Sequence, residues 1–202
     1  MARQAKKAAP KQTNTRRANT LEFITGADAL AILKVLAARN DNLAREIDAA
    51  AKELFSHVEI DEMAANVQME LESLHVEDIW DRSGAKRDGY LDPGEAALEM
   101  FGEALRPFQD EADKYRQLSM PQEADLACRG ILKGIYDFHK ESSTEYGQWA
   151  VDAPSDYFGV VLGDWKKLFT GRPPFPRMTV FLQTHCPDWA EWATKSLRSR
   201  RP

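Results

Sequence analysis

From Leu43 to Leu168 the large apolar residues recur at spacings of three and four, and no run alternates with period two long enough to make a strand. Leu43, Ile47, Ala50 and Leu54 fall on one helical face. Ile60, Met63, Val67, Leu71 and Leu74 form a second such face, and Leu98, Phe101, Leu105, Phe108, Ala112 and Tyr115 a third. Ala124, Cys128, Ile131, Ile135 and Phe138 continue the rhythm, followed by Phe158, Val161, Trp165 and Leu168. A chain patterned this way buries its apolar surface helix against helix. The expected fold is all-α, about eight helices in stacked hairpins forming an irregular or tetratricopeptide-like bundle.

Local signals place the helix ends. Thr25 with Asp28 three residues later reads as a capping box opening a helix over Ala27–Ala38, and Asn40 or Asp41 caps the next. Asp61 opens a third helix, and a short turn through Trp80 leads to Ser83–Gly94, the clearest loop in the sequence. Asp92-Pro93 supplies an N-cap and a first-turn proline. The apolar phase carries through Pro107, so 93–118 reads as one kinked helix, antiparallel to the helix after the Ser119-Met120-Pro121 break. A helix starts again at Asp152-Ala153-Pro154 and stops at Gly171. The proline-rich connector 172–176 then leads to one or two short helices across Met178–Thr184 and Asp188–Leu197.

Charge separates the first 20 residues from the rest. Arg3, Lys6, Lys7, Lys11, Arg16 and Arg17 stand in a stretch without a single acid, so residues 1–20 carry +6 and the other 182 carry -11. The stretch has no large apolar side chain beyond Met1, and is expected to be a disordered basic arm. Residues 21–202 are expected to form one domain, with a sub-boundary possible in the loop 83–94. The six basic residues are candidate contacts for nucleic acid or an acidic protein, because clustered lysine and arginine displace counterions from phosphates. No apolar run reaches the ~20 residues of a membrane span, and residues 1–20 lack the apolar core of a secretory signal. Two cysteines make no disulfide framework, which points to a reducing cytoplasm.

Motifs that could carry chemistry are incomplete. Asp88, the Tyr90 carbonyl, Asp92 and Glu95 match the second half of a calcium-binding EF-hand loop around Gly89, but Gly84 and Lys86 occupy the first two ligand positions. A helix-capping turn accounts for the same residues. Glu72 and His75 have the Glu-x-x-His spacing of helical di-iron sites, without the second copy such sites need. Cys128, Cys186 and His185 lack zinc-site spacing, and neither phosphate-binding nor dinucleotide-binding glycine motifs occur. The expectation is no metal and no cofactor. For an enzyme with a site assembled from distant residues, His139, Glu141 and Tyr136 are the candidates.

Ala127, Gly130 and Gly134 form a stripe of small residues on one helix. Two helix-interior glycines cost about 1 kcal/mol each against alanine, so close approach of another helix is expected there. Of 19 aromatic residues 12 lie between Tyr136 and Trp192, which makes them either the filling of a C-terminal core or the rim of a groove. As a rim, Tyr136, Trp149, Trp165, Trp189 and Trp192 would hold a partner. A groove between the 93–118 and 121–139 helices is the other candidate.

The run from Cys128 to Tyr136, with Trp149-Ala-x-Asp152 beyond it, resembles helical segments of uncharacterised bacterial proteins, over about residues 95–165. Some similar segments occur in chains with a SWIM-type zinc finger, whose cysteine and histidine ligands have no counterpart here. The resemblance implies a bacterial protein with a tetratricopeptide-like core. The function expected is a non-enzymatic protein–protein interaction module, an adaptor or regulatory subunit. Nucleic-acid association through residues 1–20 and an unrecognised enzyme site are the alternatives.

Overall fold

The computed structural model describes residues 23–86, 89–169 and 174–199. The basic arm expected over 1–20 lies outside the described residues, as do Arg87, Asp88 and the start of the proline-rich connector. The described chain is all-α, with ten α-helices and one small hairpin. It divides into two compact units, at Glu53 and Leu54.

The first unit holds two helices, α1 (Gly26–Arg39) and α2 (Asp41–Leu54). The capping box forms: Asp28 N–H donates to the Thr25 hydroxyl at 3.2 Å, and Thr25 N–H donates to the Asp28 carboxylate at 3.0 Å. That hydrogen bonding holds the Asp28 carboxyl below its ordinary pKa. Asn40 alone joins the helices, and its side-chain oxygen caps α2 by accepting from Asn42 N–H at 2.9 Å. One extended residue cannot turn a helix back on itself, and α1 and α2 do not pack along each other.

The second unit contains α3 (Ile60–Glu72), α4 (Val76–Arg82), a hairpin of β1 (Gly84–Lys86) and β2 (Gly89–Leu91), α5 (Pro93–Gln117), α6 (Pro121–Glu141), α7 (Glu145–Trp149), α8 (Ala153–Lys167), α9 (Phe175–His185), a 3-10 turn (Pro187–Trp189) and α10 (Ala190–Arg198). At its centre α6 buries Ala127, Ile131 and Ile135, and equally Leu132, Tyr136 and Phe138, so it is covered on most sides. Helices α3, α5 and α8 pack against it.

The closest approach is between α3 and α6, and the small-residue stripe makes it possible. A Cβ on Gly134 would stand 2.6 Å from both the Ala64 carbonyl oxygen and Val67 Cβ; one on Gly130 would stand 2.5 Å from Met63 Cβ. Lys133 of α6 adds ion pairs to Asp137 at 2.6 Å and across to Asp61 at 3.7 Å.

Helix α5 runs unbroken through Pro107. It ends in a Schellman turn, with Met120 N–H on the Tyr115 carbonyl at 2.9 Å and Ser119 N–H on the Arg116 carbonyl at 3.1 Å. Ser119 takes the left-handed conformation there, at φ 57°, where glycine is usual.

Three expectations need correction. The stretch through Trp80 is a helix, α4, whose Val76 and Ile79 are buried. The segment 83–94 carries an antiparallel hairpin, pairing Gly84 with Leu91 and Lys86 with Gly89. Three-residue strands are too short to show alternation, and their geometry relies on Gly84 and Gly89 at φ 93° and 140°. Between Thr144 and Ala150 stands a short helix, α7, where the spacing predicts no element before the helix at Asp152; it is capped by the Thr144 hydroxyl accepting from Gly147 N–H at 3.3 Å.

Candidate interaction surfaces

In the first unit, α1 is the least covered apolar element. Leu30, Ile32, Leu33, Val35 and Leu36 are each between 40% and 53% exposed, and neither α1 nor α2 holds a buried residue. At 3.6 residues per turn these five side chains spread over about 220° of the helix. In α2, Leu43, Ile47, Ala50 and Leu54 keep to an arc of about 60°, flanked by charges of both signs. Each helix has local reasons to form, and together they leave an apolar surface with no partner among the described residues of their unit.

Two of the second unit's concavities bear on the expected grooves. A cavity of about 310 Å³ lies between α5, α6 and α8, at the junction expected for a groove. Asp113 and Asp164 line it, paired with Arg116 at 3.0 Å and Lys167 at 2.6 Å, and Cys128 and Ile131 form its apolar side. A groove of about 580 Å³ runs between α8 and α10, past Gly159, Gly163 and Trp192.

Neither cysteine is poised to react. Burial pushes the Cys128 and Cys186 thiols up to about 12, with nearby carboxylates adding to the effect. Both are therefore expected to resist a thiol-labelling reagent at pH 8 in the folded protein and to react in denaturant. Rapid labelling of the native chain would contradict this burial.

The five aromatics expected at a groove do not share a surface. Trp165, Tyr136 and Trp189 are buried, and only Trp149 and Trp192 are exposed. Trp189 stacks within a cluster of Tyr136, His139, Phe158 and Trp192, at ring distances of 4.7–6.2 Å. Trp165 packs against Phe169 and Phe175. Its indole N–H donates to Asp125 at 2.5 Å, and Asp125 also holds Arg129 at 2.8 Å. Trp149 instead meets Trp80 edge to face at 4.7 Å, an exposed ring pair between α7 and α4.

Among the candidate catalytic residues, Tyr136 and His139 are near each other but serve packing. Asp188 accepts from Lys140 at 2.8 Å and interacts with Tyr136, tying the 3-10 turn to α6. Those contacts hold the Asp188 carboxyl below its ordinary pKa. Burial, helped by Lys140 and opposed by Asp188, lowers the pKa of His139 and favours its neutral ring. Glu141 accepts from Gln68 of α3 at 3.2 Å.

In the partial EF-hand match, Asp92 caps α5 by accepting from Gly94 N–H at 2.8 Å, while Asp88 lies outside the described residues. Among the described residues no three histidine, cysteine or acidic side chains are grouped to hold a metal ion. No described helix is long and apolar enough to cross a membrane. Arg3, Lys6, Lys7, Lys11, Arg16 and Arg17 lie outside the described residues.

The surface on α1 has a sequence signal that spacing analysis alone passes over. Between Ala29 and Ala38 only Lys34 is charged, so the helix is apolar nearly all round instead of along one stripe. No protein-family model, curated protein or solved structure matches the chain.

Proposed function

We propose that the chain is a protein–protein interaction module, a non-enzymatic adaptor or regulatory subunit working in the cytoplasm. Helices α1 and α2 are its contact surface, and residues 54–202 are the folded body that accompanies them. The observation that carries this reading is the exposure of Leu30, Ile32, Leu33, Val35 and Leu36 together on one helix. Apolar surface of this kind gains free energy by leaving water, and a binding partner is the means of removing it.

The test compares captures by the tagged chain and its Leu33→Glu/Leu36→Glu variant from nuclease-treated host lysate. A defined protein retained by the first and lost by the second is the expected result. Equal capture by both would remove α1 from the contact surface.

A second reading rests on the six basic residues and no acids of 1–20. In it the arm holds nucleic acid, with affinity falling steeply as salt rises and vanishing when residues 1–20 are deleted. Partners lost on nuclease treatment would favour it.

A further inference from the structure

Taking α1 and α2 as the contact surface, as the proposed function does, we infer that their occupant is a second copy of the same chain, the two copies closing a four-helix bundle from residues 26–54. A single neighbouring helix covers a stripe of roughly 100°, less than half the apolar arc of α1. Helix α1 therefore needs two or more helices around it. Its own α2 cannot fold back to supply one, because Asn40 is the whole connection and is extended. Two copies bring four helices of 14 residues, each about 21 Å long, which is the number that closes a bundle about one core. A twofold arrangement lets the α2 stripe of Leu43, Ile47 and Leu54 in each copy cover α1 of the other.

Charge selects the same occupant. Residues 26–54 carry four basic and five acidic side chains, whereas 55–202 carry 17 basic and 26 acidic ones. Two bodies of the second kind repel, whereas the nearly neutral helices do not, and the +6 of residues 1–20 in each copy is opposite in sign to the other copy's body. A strongly charged protein partner would find no complementary field on α1, which holds only Asp28, Lys34 and Arg39. A lipid surface is a poorer match: α1 has no charged face opposite its apolar one, and α2 presents more acids than bases where an interfacial helix is rich in lysine and arginine.

The experiment is light scattering on the full-length chain as it elutes from size exclusion, across a wide dilution series. The expected mass is twice the 22.8 kDa of one chain, falling toward one chain on dilution. The Leu33→Glu/Leu36→Glu variant is expected to be monomeric throughout, with tryptophan emission unchanged because all five tryptophans lie beyond residue 54. A monomeric parent chain at every concentration overturns the inference, and so does a dimer that survives the substitutions. Where the variant fails to fold, a monomeric parent still overturns the inference, and for a dimeric parent amide exchange over residues 28–38 that does not change with dilution overturns it. The lysate capture separates this inference from the reading beneath it: a monomer that still loses a foreign partner on substitution ends the second copy and keeps the contact surface. A parent dimer dissolved by the substitutions, with no foreign partner captured, supports both.

Discussion

Trp165→Ala is expected to destabilise the body of the protein by about 3–5 kcal/mol, measured by urea unfolding followed by circular dichroism. The indole is fully buried and packs against Phe169 and Phe175, so truncation leaves a cavity that the surroundings cannot fill by local adjustment. It also removes the N–H that Asp125 accepts at 2.5 Å, leaving that half-buried carboxylate to Arg129 alone. Trp165→Phe separates the two effects. It keeps most of the volume and loses the donor, and is expected to cost about 1–3 kcal/mol. If the phenylalanine variant were as unstable as the alanine one, the hydrogen bond would outweigh the packing.

Gly134→Val is the second large effect, with an expected loss of about 3 kcal/mol. The new Cβ would meet the backbone carbonyl of Ala64 and the Cβ of Val67, both at 2.6 Å. Neither is the end of a flexible side chain, so α3 must move away from α6 as a whole. The matching control is Gly163→Ala in α8, where an added Cβ meets nothing within 4 Å. There the substitution only reduces the freedom of the unfolded chain and raises helix propensity, and a gain of about 0.4–1 kcal/mol is expected. Opposite signs at two helical glycines would show that α3–α6 contact, and not glycine itself, decides the outcome. A stabilising Gly134→Val would refute the packing described.

What could be read from the residues follows from the range over which each feature acts. Thr25 with Asp28 and Asp92 with Gly94 act within one turn, so their caps were legible in the spacing. Gly130 and Gly134 lie four apart on an apolar face, and their cost in an isolated helix pointed to a neighbour, which proved to be α3. The hairpin at 84–91 was not legible, because three-residue strands between glycines carry no periodicity. Nor was the choice between core and groove for the aromatics. Spacing puts Trp165 on an apolar helical face and Trp149 on none, but an apolar face serves a core or a groove equally, and only tertiary packing buries the first and leaves the second beside Trp80. The surface on α1 stands between these cases: apolarity from Ala29 to Ala38 is plain in the residues, whereas its lack of cover is a property of the fold.

Amide hydrogen exchange at high and low protein concentration tests the central claim most directly, since it reports helix by helix. Slow exchange over residues 28–38 at high concentration that becomes fast on dilution, with α6 slow at both, is the predicted result. Exchange over 28–38 that is the same at both concentrations, whether slow or fast, would contradict it, because the cover on α1 would then come from its own chain or from nothing.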